Sequence, residues 1–276
     1  MKYRIVTDSS SNIYKMDEVS YSYAPMKIVA GDTTYVDTEH LNIPDMLEGL
    51  KAYKGPSSTS CPNVEDWLNA FGDADIILGV CITSNLSGAY NAAMMAKQEY
   101  EDRHPGAKVF ILDSLSTGPE MELIMEKMIE DIRLEKSFEE IQADIEAYAK
   151  KTHLLFSLES LSNFVKNGRV SPAVAAAAGI LGVRIVGKAS DEGTLQPLHK
   201  CRGEKKAILS IYKEMKEHGF SGGKVRLAHC FNEPLANAMK DLILKDYPNC
   251  DISILTCSGL CSYYAEKGGL LVGYEG

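Results

Sequence analysis

The stretch ADIILGVCI at residues 74–82 decides the fold of this chain, because its nine residues include only one charged side chain, Asp75. A run this short and this apolar predicts a strand that is buried on both faces, as in a parallel sheet. An amphipathic helix is predicted next, from about residue 87 to 100, and a second apolar strand at 108–112. The order strand, helix, strand indicates a parallel sheet that is covered by helices.

The same alternation continues along the rest of the chain. Further strands are predicted at residues 3–7, 153–157, 184–189, 195–200, 225–230, 252–257 and 270–274, and further helices at 119–134, 138–151, 158–166, 171–181, 204–218 and 234–247. The strands at 184–189 and 195–200 are predicted to form a hairpin. We therefore predict an α/β fold of two lobes, residues 1–152 and 153–276, with mainly parallel sheets covered by helices.

The composition is that of an acidic globular protein. Hydrophobic residues make up 45% of the 276 residues, charged residues make up 24%, and the formal net charge is −9. A chain this acidic is a poor candidate for general binding to nucleic acids or to anionic membranes. No apolar run reaches the ~18 residues of a membrane helix, and the opening residues turn polar too early for a signal peptide. We therefore expect a cytoplasmic protein.

Cysteine and histidine usage gives no sign of disulfides or of a metal site. The seven cysteines are odd in number and include no Cys-x-x-Cys pair, which predicts buried free thiols. The six histidines show no His-x-x-x-His spacing of the kind that binds zinc. We therefore expect neither a metal ion nor a cofactor.

Three clusters of small polar residues lie where a strand or loop meets the predicted start of a helix. They are SSTS at 57–60, TSNLSG at 83–88, and DS at 113–114 with STG at 116–118. Each cluster alone is typical of a helix cap. Together they favour an anion site, because helix N-termini at the carboxyl ends of strands present free N–H groups. The lack of Lys, Arg and multiple glycines favours a carboxylate over a phosphate, although the residues alone leave the anion open.

The chain resembles the DegV family over essentially its whole length. The resemblance rests on the order and spacing of IVTDS at 5–9, TS-x-P at 59–62, TSNLSGAY at 83–90, LDS at 112–114 with Gly118, NGRVS at 167–171, Asp191-x-Gly193, Arg202 with KKA at 205–207, and LAH at 227–229. It implies two α/β lobes that enclose a long-chain fatty acid. It also implies a carrier rather than an enzyme, whose bound acid is phosphorylated by a partner fatty-acid kinase.

The resemblance further implies which residues bind the carboxylate of the fatty acid. Thr59 or Ser60 and Ser87 would supply hydroxyl groups, and the Gly88 amide would assist them.

One departure from the family lies near the C-terminus. Many members have a His-x-Gly-Pro-Gly segment whose histidine joins the carboxylate network, whereas this chain has CSYYAEKGG at 261–269. Tyr264 or Ser262 would replace that histidine. The apolar tunnel for the acyl chain is expected to be lined by residues 173–181 together with Leu158, Leu161 and Phe164.

Residues 166–206 are basic, unlike the rest of the chain. They contain eight basic and three acidic residues, a net charge of +5 within a chain of −9. The basic residues are Lys166, Arg169, Arg184, Lys188, Lys200, Arg202, Lys205 and Lys206. A basic surface suits an acidic partner or transient contact with an anionic membrane surface. By resemblance, docking of the kinase subunit falls on Arg169 and Arg202.

Two other functions fit the same motifs. Ser87 or Ser60 could act as the nucleophile of a serine hydrolase or acyltransferase, although the sequence contains no Gly-x-Ser-x-Gly. Alternatively, a phospho-ligand could bind at the helix start that follows Ser87.

Overall fold

The computed structural model describes residues 2–172 and 182–276. In these residues the chain forms three β-sheets with helices packed against them. The strands are β1 (Tyr3–Asp8), β2 (Tyr21–Ala24), β3 (Lys27–Ala30), β4 (Thr33–Val36), β5 (Ser57–Ser60), β6 (Ile76–Cys81), β7 (Lys108–Asp113), β8 (Thr152–Leu158), β9 (Val183–Ala189), β10 (Leu195–Arg202), β11 (Lys224–His229), β12 (Asp251–Thr256) and β13 (Leu270–Glu275). The helices are α1 (Ile43–Ala52), α2 (Val64–Phe71), α3 (Ala89–Arg103), α4 (Pro119–Arg133), α5 (Phe138–Tyr148), α6 (Ser162–Lys166), α7 (Glu204–Glu217), α8 (Glu233–Asp246) and α9 (Gly259–Ala265).

The first sheet is parallel throughout and has the strand order β2-β1-β6-β7. All six residues of its central strand β6 are buried. Ile77 and Cys81 pack in the core with α2 and α3, whereas Ile76, Leu78 and Val80 pack with α4 and α5. Since helices cover both faces, the prediction of a doubly buried strand at this position is confirmed.

A small antiparallel sheet of order β4-β3-β5 carries the first hydroxyl motif. In its central strand, Ile28 pairs with Thr59 of β5. Ile28 is buried in a cluster with Met46 of α1 and Tyr263 of α9. The sequence analysis did not predict this sheet, because each strand has only four residues and β5 contains only Ser and Thr.

The third sheet has six strands in the order β10-β9-β8-β13-β11-β12. Only the β11–β12 pair is parallel, and the other four pairs are antiparallel. The α/β fold class and the β9–β10 hairpin are confirmed, but the strand directions of this sheet differ from the predicted parallel arrangement. The last strand, β13, inserts between β8 and β11 and runs opposite to both, and β9 runs opposite to β8.

The two halves of the chain are in close contact. The third sheet begins at Thr152, beside the boundary predicted between the lobes, and the division into 1–152 and 153–276 stays a prediction. The start of α4 packs directly on β13, since a Cβ on Gly273 would lie 2.6 Å from the carbonyl carbon of Pro119. Helix α9, from the second half, packs against α1 and β3 of the first.

Most of the predicted helices are confirmed, with ends that differ by no more than three residues for α3, α4, α5, α7 and α8. Helix α6 is shorter than predicted and begins at Ser162, because β8 continues through Leu158. The helix predicted at 171–181 falls mainly on residues outside the described part of the chain.

The remaining structural expectations concern thiols, membranes and metals. All seven cysteines are free and five of them are buried, as predicted. None of the helices in residues 2–172 and 182–276 is both long enough and apolar enough to cross a membrane. In the same residues, no three His, Cys, Asp or Glu side chains converge in a way that could hold a metal ion.

Candidate functional site

A cavity of about 290 Å³ is lined by residues from both halves of the chain. Leu154, Phe156 and Leu158 line it from β8, where alternate residues point to the same face. Met26 and Ile82 line it from the first half of the chain. All five side chains are apolar and buried, so this part of the cavity suits an apolar ligand.

Thr59 and Tyr264 form one polar group in the lining. Residues of β5 alternate between half-buried and exposed, so Thr59 turns inward and Ser60 turns outward. The Thr59 and Tyr264 hydroxyls lie 2.8 Å apart, and within the described residues neither has another partner. Since this hydrogen bond uses the proton of only one hydroxyl, the other proton is left for a ligand. Ser60 lies at the edge of the cavity and donates to the Cys61 carbonyl at 3.3 Å.

Ser87 and Gly88 form a second polar group at the start of α3. The Leu86 and Ser87 amides both donate to the Thr83 carbonyl at 3.2 Å, which forms a tight turn after β6. The Ser87 hydroxyl accepts from the Ala89 amide at 3.2 Å and has no acceptor for its own proton among the described residues. The N-cap residue, Gly88, has no side chain that could cap the first turn. The Ser87 hydroxyl and the Gly88 amide, for which the described residues provide no acceptor, are therefore available to an anion.

The electrostatic surroundings of these donors favour a negative ligand. Arg169 lines the cavity and donates from Nε to the Leu86 carbonyl at 3.0 Å, next to Ser87. Burial raises the pKa of Tyr264, whereas the hydrogen bond with Thr59 and the charge of Arg169 oppose the rise. The phenol therefore stays protonated at neutral pH and can donate. No Asp or Glu lies in the cavity lining that the described residues form.

Ser262 and Tyr264, the two residues proposed to replace the family's histidine, lie in different surroundings. Ser262 is fully buried and donates to the Cys257 carbonyl at 3.1 Å, away from the cavity lining. Tyr264 is in the lining, and its ring packs on that of Phe164 with centroids 4.6 Å apart. Of the two, only Tyr264 is brought to the polar group.

Asp37, which was not predicted from the sequence, fixes the helix that carries this tyrosine. Its buried carboxylate accepts the amides of Gly259 and Leu260, the first residues of α9, at 2.7 and 2.9 Å. It also accepts the hydroxyls of Ser9 at 2.8 Å and Tyr14 at 2.6 Å. Burial raises the pKa of Asp37, and these hydrogen bonds oppose the rise. The capping residue and the helix are more than 220 residues apart, so no local pattern reveals the contact.

The residues that the sequence assigned to kinase docking lie at two different places. Arg169 and Arg202 are both exposed, but only Arg169 lines the cavity. Strand β10 runs from Leu195, at the cavity, to Arg202, which pairs with Val183 at the far end of the hairpin. Seven steps of about 3.3 Å separate Leu195 from Arg202 by roughly 23 Å.

Arg184 does not belong to the predicted basic surface. It is 2% exposed and forms an ion pair with Glu159. Its guanidinium also bonds to the Ser157 hydroxyl and the Gly268 carbonyl. A charge count along the sequence cannot tell such a buried, paired arginine from an exposed one.

The side chains that were predicted to line an acyl tunnel lie in different places. Leu158 and Phe164 line the cavity. Leu161 does not, and instead belongs to the adjoining core cluster. Residues 173–181, which were predicted to line the tunnel, lie outside the described residues.

The geometry around Ser87 does not support a serine hydrolase. Its hydroxyl accepts a hydrogen bond from the Ala89 amide, and in the described part of the chain no histidine lies in the cavity lining. A serine nucleophile needs a hydrogen-bonded base.

An α/β fold whose apolar cavity carries hydroxyl and amide donors defines a protein that is suited to an amphipathic ligand with an acidic head group. Residues 2–275 match the family described as "Uncharacterised protein, DegV family", and the chain belongs to the DegV family. A DegV domain-containing protein of Streptococcus pneumoniae is 40% identical over 279 residues, which cover 100% of this chain and 99% of the relative.

Two solved structures are similar over nearly the whole chain. A DegV family protein from Eubacterium eligens, loaded with heptadecanoic acid, has a TM-score of 0.97 and 43% identity, and the match covers 99% of each chain. The Streptococcus pneumoniae Fatty Acid Kinase (Fak) B3 protein, loaded with linoleic acid, has a TM-score of 0.97 and 40% identity, with 100% of this chain and 99% of that chain covered. The predicted family and fold class are therefore confirmed.

Proposed function

We propose that this protein binds a long-chain fatty acid in the cavity and presents its carboxylate to a kinase subunit for conversion to an acyl phosphate. Thr59, Tyr264, Ser87 and the Gly88 amide hold the carboxylate, with Ser60 at the rim. The protein acts as a carrier, and the phosphoryl transfer belongs to the partner.

The observation that carries the proposal is an apolar cavity whose lining includes donors with free protons. Ser87 supplies one O–H, the Thr59–Tyr264 pair supplies another, and the helix start at Gly88 supplies N–H groups. The two carboxylate oxygens can accept all of them. Uncharged hydroxyls orient a carboxylate while leaving it ionised, and an ionised oxygen is the nucleophile that phosphoryl transfer requires.

The apolar part of the cavity would supply most of the affinity. Each methylene moved out of water contributes about 0.8 kcal/mol, so a chain of about fifteen contributes on the order of 10 kcal/mol before the costs of ordering. The polar group therefore has to orient the head group more than it has to bind it. The fatty acids held by the Eubacterium eligens and Streptococcus pneumoniae proteins support this assignment for the present chain.

The kinase partner is supported by the name of the Streptococcus pneumoniae relative and by exposed positive charge. Arg169 lies at the cavity, next to the proposed carboxylate, and Arg202 lies roughly 23 Å along β10 from the cavity end of that strand. We assign docking of an acidic kinase surface to these two residues, and transient contact with an anionic membrane surface to the exposed basic residues of segment 166–206. The place of action is the cytoplasm, where ATP-dependent kinases work.

Extraction of the purified protein under denaturing conditions, followed by mass spectrometry, tests the proposal. A long-chain fatty acid should be recovered in near-stoichiometric amount. Ser87→Ala should reduce acid binding and acyl-phosphate formation. The matched control is Ser84→Ala, in the same loop but outside the cavity lining, which should leave both unchanged.

Recovery of no lipid, together with no binding of added fatty acid, would contradict the proposal. The alternatives have their own signatures. Ester hydrolysis that is lost in Ser87→Ala would favour a hydrolase, and thermal stabilisation by inorganic phosphate would favour a phospho-ligand binder.

A further inference from the structure

Tyr263 precedes Tyr264 on α9 and forms a parallel set of contacts with β5. It is 1% exposed, and its ring packs edge-on against that of Tyr264 with centroids 5.0 Å apart. Its hydroxyl lies 2.8 Å from Ser57 Oγ, and Ser57 shares the inner face of β5 with Thr59. Two consecutive tyrosines therefore bind the two inward-facing residues of β5.

Asn167 determines the direction of hydrogen bonding at Tyr263. Its Nδ2 donates to the Tyr263 hydroxyl oxygen at 2.9 Å and to the Asn163 carbonyl at 2.8 Å. Since the phenol accepts from Asn167, its own proton points to Ser57, whose Oγ and carbonyl oxygen lie at 2.8 and 3.3 Å. Asn163 also donates from Nδ2 to the Tyr263 carbonyl at 2.7 Å. The segment 163–167 thus holds both the side chain and the backbone of Tyr263.

The same segment also contacts the second group of donors. Arg169 follows Asn167 by two residues, and its Nε donates to the Leu86 carbonyl at 3.0 Å, directly before Ser87. Residues 163–169 therefore join the Thr59–Tyr264 pair, through Tyr263, to the turn that carries Ser87.

We infer that Tyr263 and Asn167 are positioning residues, which set the separation between the Thr59–Tyr264 pair and Ser87 so that one carboxylate meets both. This inference rests on the proposed function. Removal of the Tyr263 hydroxyl frees Ser57 and lets β5 shift, which changes the head-group hydrogen bonds. Contacts between the acyl chain and the apolar lining stay the same, because Tyr263 acts on β5 and α9 at the polar group.

The test compares hexadecanoic acid with hexadecan-1-ol, which has the same chain but no carboxylate. Both are used to displace a fluorescent fatty acid from the delipidated full-length protein. Tyr263→Phe should bind the acid roughly tenfold more weakly and should bind the alcohol with unchanged affinity. The shift of β5 costs the carboxylate about one hydrogen bond to the protein, and the alcohol has no carboxylate to lose it. The matched control is Tyr100→Phe, which removes another buried hydroxyl (the residue is 2% exposed and donates to the Ala74 carbonyl at 2.9 Å) and should change neither affinity.

Ser57→Ala provides a second test and should have little effect on the stability of the fold. It should show the same selective loss for the acid, whereas Ser58→Ala, on the outer face of β5, should show none. An equal loss for acid and alcohol in both Tyr263→Phe and Ser57→Ala, or no loss for either ligand, would overturn the positioning role. A wild-type protein that binds neither ligand would overturn the proposed function, and the inference with it.

Discussion

Glu120 lies where α4 meets the third sheet and should make the stability of the protein fall as the pH rises. Its side chain is 5% exposed and accepts a hydrogen bond from Thr152 Oγ1 at 2.8 Å. Burial raises the pKa of Glu120 from 4.5 to about 7, although the Ser116 and Thr152 hydroxyls oppose the rise. The folded state therefore holds the proton more tightly than the unfolded state does. This group stabilises the fold fully below pH 4.5, and the contribution is lost as the pH rises through 7.

Glu120→Gln removes the titration while keeping an oxygen that can accept from Thr152. The pKa difference between 4.5 and about 7, at about 1.36 kcal/mol for each pKa unit, corresponds to on the order of 3 kcal/mol. The free energy of unfolding of the variant, relative to wild type, should therefore increase by about that amount between about pH 4.5 and about pH 8. Asp8 and Glu122, whose pKa values burial raises to about 6 and about 7, are present in both proteins and cancel in the difference.

Urea unfolding followed by circular dichroism across this pH range measures the difference. The matched control is Glu139→Gln, because Glu139 is exposed on α5 and its hydrogen bond with Lys108 lowers rather than raises its pKa. That variant should show no gain with rising pH. A difference between Glu120→Gln and wild type that stays constant with pH would show that the buried carboxyl does not titrate with a raised pKa.

Two further predictions concern the hairpin tip and the basic strand. Gly193→Ala should lower the melting temperature and the retention of fatty acid, because a Cβ at this position, where φ is +75°, would lie 2.2 Å from Thr83 Oγ1. The control is Gly106→Ala, which has a φ of +97° and no atom within 4 Å of the added Cβ, so it should cost only the backbone strain. Equal effects in the two variants would exclude the contact with Thr83 as the cause. Arg202→Glu should abolish coupling to the kinase in a reconstituted acyl-phosphate assay, while fatty-acid binding persists. Lys200→Glu makes the same change of charge on the same strand and serves as the control. If coupling survives in Arg202→Glu, this residue does not belong to the docking surface.

Strands β1, β6 and β7 of the first sheet were predictable because their signals are local, whereas its edge strand β2 was not predicted. The apolar run around β6 and the polar turn after it predicted a buried strand, a helix start and a ligand crevice. Ser87 followed from this pattern, because it lies where a parallel strand ends and a helix begins. The family resemblance then implied that the anion is the carboxylate of a fatty acid.

The small sheet and the directions of the third sheet were not predictable in the same way. Strand β5 contains only Ser and Thr and becomes a strand through its pairing with β3. Tertiary packing sets the position of β13 between β8 and β11, and the local hydrophobic periodicity does not indicate it.

The other features that were not predicted depend on polar contacts between residues far apart in the sequence. The role of Tyr264 could be proposed from the missing histidine, but its hydrogen bond with Thr59 joins residues 205 positions apart. Asp37, which holds α9, and Tyr263, which holds β5, were missed for the same reason. Arg184 was misread as surface charge because its pairing with Glu159 is visible only in the fold.

In the proposed function, Ser87 and the Thr59–Tyr264 pair hold the carboxylate of a bound fatty acid. Carbon-13 NMR of carboxyl-labelled hexadecanoic acid tests it most directly, because the labelled carbon reports its own hydrogen bonds. The bound carboxyl resonance should differ from that of the free acid, and it should move in Ser87→Ala and in Thr59→Val but not in Ser84→Ala. A bound resonance that is identical in all four proteins would contradict it, because the head group would then lie away from these donors.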